Sequence, residues 1–215
     1  MDEAIYELYY YLGNASLLPH MALREAGVSF ELRLVDRTQD AQRSAEYLQL
    51  NPSGRIPVLV QGDLVLFEAA AITMHLADQH PASDLAPPVG TPERAQFYKW
   101  MVHLTNTPQV EYRAWFYPWQ HTVDQGTADA VKQASGARLD RMFDVIAGQL
   151  GAGPWLLGNH FSAADLFLLM LVRWGRGMPR PPRDLPQLHD HAQRVLARPA
   201  VQAAFATEGI AEPFI

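Results

Sequence analysis

The stretch from Gly54 to Ile72 constrains the fold of this chain more than any other segment. Pro57 opens an apolar strand, a tight turn at Gln61–Asp63 follows, and a second strand leads into a helix that begins at Glu68. Proline has no N–H group to donate to a sheet, so it belongs at the head or the edge of a strand. The pattern predicts a β-hairpin that is followed directly by a helix.

Two features of this stretch predict a binding site for a small peptide-like ligand. The bond before a proline is the one peptide bond for which the cis form is cheap, and a cis Ile56–Pro57 bond would turn the N–H and C=O groups of Ile56 outward. Glu68 precedes a helix, and the first N–H groups of a helix attract anions. An extended peptide could therefore pair with Ile56 while its charged end lies near Glu68.

The chain alternates between strand and helix signals before the hairpin. Leu8–Leu12 is apolar and rich in tyrosine, Leu17–Ala26 has helical spacing and ends at Gly27, Phe30–Val35 alternates as a strand, and Ala41–Leu50 is a short helical stretch. The predicted order of elements is β-α-β-α-β-β-α. The β-α-β start predicts a parallel strand pair with a right-handed crossover, and the hairpin adds an antiparallel edge.

A proline-rich segment separates this α/β part from an all-helical part. The predicted domains are 1–82 and 93–215, joined by a linker at 83–92. Strand signals are absent after the linker, and helical spacing recurs in five segments: Glu93–Asn106, Thr127–Leu150, Ser162–Trp174, Leu185–Leu196 and Pro199–Phe205. Ser162 and Asp165 fit a capping box at the start of the third of these helices.

Composition and motifs exclude several classes of function. The absence of cysteine excludes disulfides, cysteine metal sites and a cysteine nucleophile, and the net charge of -6 argues against a general nucleic-acid binder. No apolar run approaches the ~20 residues that span a bilayer, and the acidic N-terminus lacks the apolar core of a signal peptide. We therefore expect a cytoplasmic protein without a membrane partner.

His189-Asp190-His191 has the spacing of a metal pair but lies in a polar helix start, where we expect surface residues and no metal site.

Taken in order, the motifs resemble those of the glutathione transferase superfamily across nearly the whole chain. The matching features are Tyr10 in the first strand, Ser16 at the first helix, Asn51–Pro57, Phe67-Glu68, the proline linker and Phe161–Asp165. Leu23–Gly27 and Arg198–Gln202 are similar to hallmarks of the bacterial beta-class enzymes. The resemblance implies a thioredoxin-like domain followed by an all-helical domain, glutathione as co-substrate, and a homodimer.

The resemblance also implies how the first domain would hold glutathione. Ile56, before a cis Pro57, would pair with the cysteinyl backbone as an added strand, and Glu68 would bind the γ-glutamyl ammonium group. The next residue in the family is normally a serine whose hydroxyl meets the γ-glutamyl carboxylate. Here it is Ala69, which leaves only the backbone N–H of the helix start. A hydrogen bond to a charged group is worth roughly 1.5–3 kcal/mol, so the affinity should be reduced.

Three residues are candidates for stabilising the glutathione thiolate. The catalytic cysteine of the beta-class enzymes corresponds to Ala15 and their catalytic histidine to Gln109, so the cysteine-dependent mechanism does not carry over. In order of preference, the remaining candidates are Ser16, Asn14 and Tyr10. Ser16 could instead be a plain helix cap, and Tyr10 a core aromatic residue.

An electrophile pocket is predicted in Glu111–Trp119, where five aromatic residues occur in eight positions. The candidates there are Tyr112, Arg113, Trp115 and Phe116. The alternatives for this segment are helix–helix core packing and a dimer contact. Arg173–Arg176 is a second, weaker candidate for the pocket.

These features together predict a glutathione transferase-like enzyme. Its site would activate the glutathione thiol for attack on a small hydrophobic electrophile. The replacements at Ala15, Gln109 and Ala69 favour an alternative, a non-catalytic glutathione-binding or protein-interaction module with the same fold. A glutathione-dependent reductase or isomerase is a third possibility.

Overall fold

The described residues form two compact units. A computed structural model describes residues 5–151 and 153–215. The first unit runs to Ala86 and also takes in Ala197–Phe214, and the second holds Pro87–Leu196 together with Ile215. Within the described ranges, no helix is long and apolar enough to cross a membrane.

A four-stranded mixed sheet forms the centre of the first unit. The strands are β1 (Tyr6–Tyr10), β2 (Phe30–Leu34), β3 (Val58–Gln61) and β4 (Leu64–Phe67), in the spatial order β2-β1-β3-β4. β1 and β2 are parallel, whereas β3 runs antiparallel to both β1 and β4. This arrangement confirms the predicted parallel pair and the predicted antiparallel edge.

α1 (Leu17–Ala26) connects β1 to β2, α2 (Ala45–Leu50) lies between β2 and β3, and α3 (Ala69–Gln79) follows β4. α1 packs against α3. Successive side chains of β1 point to opposite faces, so the ring of Tyr10 contacts His20 of α1 whereas the ring of Tyr9 contacts Tyr47 of α2. The element order β-α-β-α-β-β-α is confirmed.

The described part of the second unit is helical. Its α-helices are α4 (Pro92–Leu104), α5 (Val110–Phe116), α6 (Ala128–Leu150), α7 (Ala163–Trp174) and α8 (Pro186–Leu196). Every residue of α7 from Ala163 to Val172 is buried, and an apolar surface on all sides is typical of a central helix. The two units together confirm the predicted fold class.

A π-helical turn at Thr105–Gln109 joins α4 to α5 and contains Pro108. Helical spacing predicted an end at Asn106, and α5 was not predicted as a helix. Proline removes one helical hydrogen bond and its ring crowds the preceding turn, and the wider π turn accommodates it without ending the helix.

The capping box at the start of α7 is confirmed. The Ser162 hydroxyl accepts a hydrogen bond from the Ala164 N–H group, and Asp165 Oδ2 accepts one from the Ser162 N–H group at 2.8 Å. Asp165 Oδ1 also accepts a hydrogen bond from the N–H group of Leu156 at 2.9 Å. This buried carboxylate therefore joins the chain before α7 to the first turn of the helix.

The expectation of surface residues at 189–191 is wrong for His191. Its side chain is wholly buried, and its Nε2 lies 2.8 Å from Asp165 Oδ1, whereas His189 and Asp190 are exposed. The reason is the position of His191 on α8, because it shares the buried stripe with Leu188 and Val195 at helical spacing. Among the described residues no group of side chains is arranged to hold a metal ion.

The last helix, α9 (Pro199–Thr207), belongs to the first unit and packs against α1. The predicted boundaries at 82, 83–92 and 93 placed this segment in the second domain. Helical periodicity identifies an apolar face but not the surface that covers it, so the sequence pattern could not assign α9 to the first unit.

Candidate functional site

The register of the sheet brings three candidate segments to one end of the first unit. Val58 pairs with both Tyr9 and Phe67, so the start of β3 lies beside the ends of β1 and β4. Ile56 and Pro57 directly precede β3, Glu68 directly follows β4, and the turn after β1 begins the approach to α1. The predicted peptide-binding groups and the predicted thiolate-stabilising groups thus lie at the same end of the strands.

The peptide between Arg55 and Ile56 is fixed by two buried side chains. The carbonyl oxygen of Arg55 accepts hydrogen bonds from the Tyr47 hydroxyl and from the Asn51 Nδ2 group, both at 2.8 Å. In a trans peptide the N–H group points opposite to the carbonyl. The two donors on Arg55 therefore set the direction of the Ile56 N–H group. The Ile56–Pro57 bond that follows is cis, as expected.

Asn51 also shapes the loop that leads to this peptide. Its Oδ1 accepts hydrogen bonds from the Ser53 N–H group at 3.1 Å and from the Ser53 hydroxyl at 2.7 Å, and its carbonyl accepts one from Gly54. Gly54 has a φ of 62°, a conformation that favours glycine. Burial raises the pKa of Tyr47, so its hydroxyl remains a proton donor. Tyr47 and Asn51 are functional candidates that the sequence did not single out, although Asn51 is the first residue of the Asn51–Pro57 motif.

Glu68 is held in a conformation that is uncommon for a residue with a side chain. Its φ is 74° and its ψ is 110°, and its exposed side chain does not cap the N-terminus of α3. Such conformations cost of order 1–3 kcal/mol and concentrate at functional sites. Ala69 is buried and begins α3, and its carbonyl accepts a hydrogen bond from the Thr73 hydroxyl.

Ser16, the preferred thiolate candidate with a helix cap as its alternative role, has a buried hydroxyl. Its hydroxyl donates to the carbonyl of Tyr11 at 3.1 Å and accepts from the Tyr11 N–H group at 3.2 Å. The side chain is fully buried, and it does not cap α1. A hydroxyl has one proton, so Ser16 could donate to a thiolate only by giving up its bond to the Tyr11 carbonyl.

Asn14 and Tyr10, the other two candidates, are half-buried. Asn14 Oδ1 accepts a hydrogen bond from the Ala15 N–H group at 2.6 Å, which directs the Nδ2 group of the same amide away from Ala15. The ring of Tyr10 meets His20 edge to face, with ring centroids 6.5 Å apart. The Ser16 hydroxyl is thus committed to Tyr11, whereas the Asn14 amide uses its oxygen and not its Nδ2 group in the bond to Ala15.

The four candidates for the electrophile pocket lie on α5 but do not share one surface. Tyr112 is buried, donates to the carbonyl of Leu171 at 2.8 Å and stacks on Phe116 with ring centroids 5.6 Å apart. Burial raises the pKa of Tyr112. The ring of Trp115 packs at Gly136, where a side chain would meet it at 3.0 Å. Phe116 is exposed and Arg113 is half-buried.

The weaker candidate segment Arg173–Arg176 continues this aromatic group. The ring of Trp174 meets the rings of Tyr112 and Phe116 edge to face, at centroid distances of 5.8 and 6.3 Å. A side chain at Gly175 would overlap the Tyr112 hydroxyl. Tyr112 is therefore part of the packed interior of the second unit, and Phe116 is the member of the group that offers exposed aromatic surface.

Family models for two domains match the chain. The glutathione S-transferase N-terminal domain matches residues 5–78, and the glutathione S-transferase C-terminal domain matches residues 129–198. The chain is 31% identical to glutathione S-transferase 3 of Zea mays over 205 residues, which cover 89% of this chain and 88% of the relative.

Solved structures give the same result. A sphingomonad glutathione S-transferase in complex with glutathione is 31% identical, with a TM-score of 0.83 and coverage of 95% of this chain and 100% of the other. A bacterial beta-class enzyme from Sphingomonas chungbukensis is 29% identical, with a TM-score of 0.84 and the same coverage of both chains.

Proposed function

Because the chain belongs to the glutathione S-transferase family, we propose that it binds glutathione at Ile56 and Glu68 and activates its thiol. The proposed second substrate is a small hydrophobic electrophile. In the proposed reaction with an aryl halide, the sulfur–carbon bond forms, the halide leaves with its electron pair, and the thiol proton passes to solvent.

The fixed peptide before Ile56 is the observation that carries this proposal. Two donors hold the Arg55 carbonyl, so the Ile56 N–H group is oriented before any ligand arrives. Preorganised backbone groups cost little entropy when they bind an extended peptide. Glu68 lies at the same end of the sheet with its side chain exposed, and its carboxylate is suited to the γ-glutamyl ammonium group. The solved structure of the sphingomonad relative contains glutathione, which supports the choice of ligand.

Asn14 is the proposed donor to the glutathione thiolate. A free thiol with a pKa near 8.5 is mostly protonated at neutral pH, and hydrogen-bond donors at a helix N-terminus lower that pKa. The Asn14 amide lies in the turn before α1 with its Nδ2 group directed away from Ala15. Ser16 would support this turn through its two bonds to Tyr11 rather than contact the sulfur.

Calorimetry with matched variants tests glutathione binding. Glu68→Gln keeps the shape of the side chain but removes its charge, and should weaken binding by about 10-fold. Glu93→Gln is the control, because Glu93, like Glu68, is an exposed acid near the N-terminus of a helix, but in the other unit. No heat of binding for the wild type, together with no turnover of an aryl halide, would refute the proposal.

The thiolate assignment needs its own pair of variants. Asn14→Ala should raise the pH at which the bound thiol ionises, measured by thiolate absorbance. Ser16→Ala should chiefly lower stability, because it removes two hydrogen bonds from a buried position. A larger ionisation shift in Ser16→Ala than in Asn14→Ala would instead assign thiolate stabilisation to Ser16.

A binding protein without transferase activity is the second candidate function. It is favoured by the burial of Ser16, whose hydroxyl is already bonded to Tyr11, and by Ala15 at the position of the beta-class cysteine. Glutathione binding without turnover across a panel of aryl halides and epoxides would support this function. Turnover that is lost in Asn14→Ala would exclude it.

We also propose that the protein is a homodimer. Apolar side chains are exposed in both units, on the edge strand β4 and on α4: Leu64, Val65, Phe67, Tyr98 and Val102. Exposed apolar surface of this kind is typical of protein interfaces. Light scattering at micromolar concentration should give twice the mass of 24.1 kDa, and a monomer would contradict the proposal.

A further inference from the structure

Glu208 is a buried acid whose carboxylate is fully engaged inside the first unit. It directly follows α9 and is 2% exposed. Its Oε2 accepts a hydrogen bond from the Gly13 N–H group at 2.8 Å, and its Oε1 lies 2.8 Å from His20 Nδ1. Burying a carboxylate is costly unless it is paired and hydrogen-bonded. Gly13 and His20 supply the partners that Glu208 needs.

The side chain of His20, which contacts Glu208, is fixed by its packing. The imidazole is fully buried in α1, with the rings of Tyr10 and Phe30 edge to face at 6.5 and 5.6 Å between centroids. Because the partner is a carboxylate oxygen, Nδ1 is assigned as the donor. The other ring nitrogen, Nε2, is buried without a hydrogen-bond partner among the described residues. The ring therefore has one hydrogen bond, and that bond goes to Glu208.

The other partner of Glu208 opens the turn before α1. Gly13 has a φ of 63°, and Asn14 follows it. On the other side of Asn14, the Ser16 hydroxyl is bonded twice to Tyr11. The turn is thus fixed from two directions, by Ser16 near its end and by Glu208 at its beginning, and Asn14 lies between the two attachments.

We propose that Glu208 is a positioning residue for thiol activation, which it serves by holding the turn that carries Asn14. Gly13 and Glu208 are separated by 195 positions in sequence, so the C-terminal segment would set the geometry of a site built by the N-terminal residues. This inference rests on the proposed function. It adds that thiolate stabilisation depends on Glu208, whereas the backbone contact at Ile56 does not.

Glu208→Ala removes both contacts of the carboxylate. The midpoint of thiolate ionisation in the glutathione complex should rise by about half to one pH unit, and kcat should fall about 3–10-fold, the equivalent of one hydrogen bond. The KM for glutathione should change less than twofold. Glu208→Gln should lie between wild type and Glu208→Ala, because the amide oxygen can accept from only one of the two donors while its NH₂ group faces the other.

Arg198→Ala is the matched control. Arg198 also belongs to the C-terminal segment and binds both carboxylate oxygens of Glu25 at 2.6 and 2.8 Å, near the opposite end of α1 from the turn. Its loss should weaken the packing of α9 on α1 and lower the melting temperature. It should leave the ionisation midpoint of the bound thiol at the wild-type value, because the turn keeps its contact with Glu208.

Amide hydrogen exchange in the glutathione-free protein provides a readout that does not depend on the proposed function. Exchange at residues 13–16 should be about 10-fold faster in Glu208→Ala and unchanged in Arg198→Ala. Faster exchange with a raised midpoint supports the proposal. Unchanged exchange, or faster exchange with an unchanged midpoint, overturns it, since Glu208 would then be only structural.

Two further outcomes are also decisive. If Glu208→Ala does not fold, the same comparison is made with Glu208→Gln, for which an unchanged midpoint or unchanged exchange overturns the proposal. If the wild type binds no glutathione, the proposed function fails, and a positioning role in thiol activation fails with it. The exchange data then still decide separately whether Glu208 holds the turn.

Discussion

The Arg55 carbonyl offers the sharpest test of how this site is built. Tyr47 and Asn51 both donate to it at 2.8 Å, and each can be removed separately. Tyr47→Phe deletes one hydroxyl and keeps the ring, so the carbonyl remains bonded to Asn51. The expected loss of stability is about 0.5–1.5 kcal/mol, the net value of one hydrogen bond.

Asn51→Ala should cost more, because the side chain makes three hydrogen bonds. It donates to the Arg55 carbonyl and accepts from the N–H and hydroxyl groups of Ser53. Ser53 is exposed, so water can replace part of what it loses. The expected loss of stability is about 2–3 kcal/mol, measured by urea unfolding.

The double variant should lose more than the sum of the two single variants. Either Tyr47 or Asn51 alone still satisfies the Arg55 carbonyl, whereas the double variant leaves it without a side-chain donor. The expected coupling is about 1 kcal/mol. Because the peptide that carries the Ile56 N–H group is then no longer fixed, we expect glutathione affinity to fall by about 10-fold or more in calorimetry.

Tyr6→Phe is the matched control for this series. Tyr6 is also a buried tyrosine of the first unit, and its hydroxyl is 2.9 Å from His80 Nε2 at the opposite end of β1 from the site. It should lower stability about as much as Tyr47→Phe without changing glutathione affinity. Wild-type affinity in the Tyr47/Asn51 double variant, or an equal loss in Tyr6→Phe, would refute the idea that the Arg55 carbonyl orients the ligand-binding peptide.

Three further predictions concern other parts of the chain. Ala69→Ser should restore a donor for the γ-glutamyl carboxylate and strengthen glutathione binding about 10–100-fold in calorimetry; unchanged affinity would contradict it. Asp165→Ala should lower the free energy of unfolding by about 3–5 kcal/mol in urea, because it leaves His191 without its buried partner; a loss below about 1 kcal/mol would count against it. Burial and the nearby charge of Lys99 lower the pKa of His103, so its neutral form contributes stability above pH 6.5 that is lost as the pH falls through the lowered pKa. NMR titration should show this pKa rise in Lys99→Gln without reaching the ordinary value, because the burial remains.

The sequence was sufficient for the order of strands and helices from β1 to α3 because the signals there are local. The turn glycines, the proline before β3 and the alternation of apolar residues act within a few positions, and the element order that they predict is the one found. The segment Ala197–Phe214 was assigned to the other domain, because its covering partner, α1, is more than 170 residues away.

The errors in the second unit have specific physical reasons. Helical spacing placed the end of a helix at Asn106, but a π turn that contains Pro108 continues the helix into α5. His191 was taken as a surface residue because its neighbours are polar. The spacing Leu188–His191–Val195 was the signal that could have placed it on the buried stripe of α8.

The candidate site was predictable only where its residues are marked by local sequence signals. Ile56, Pro57 and Glu68 follow from proline chemistry and from helix position, so the sequence pattern predicted the cis bond and the position of Glu68 between β4 and α3. The commitment of the Ser16 hydroxyl to Tyr11 depends on the path of the turn, and no local spacing reports it. The same holds for Glu208, whose partners are at the other end of the chain.

The proposed roles of backbone and side-chain groups indicate which positions of the site tolerate substitution. The groups proposed to face glutathione at Ile56 and at the start of α3 are backbone atoms, which no substitution to a non-proline residue removes. Ala15 and Ala69 stand where the resemblance implies a cysteine and a serine, and the fold is kept. The orientation of the Ile56 N–H group depends instead on the buried side chains Tyr47 and Asn51, and the turn that carries Asn14 is held by the buried side chain of Glu208. Substitutions at these buried positions should therefore impair glutathione chemistry more than most substitutions on the ligand-facing surface.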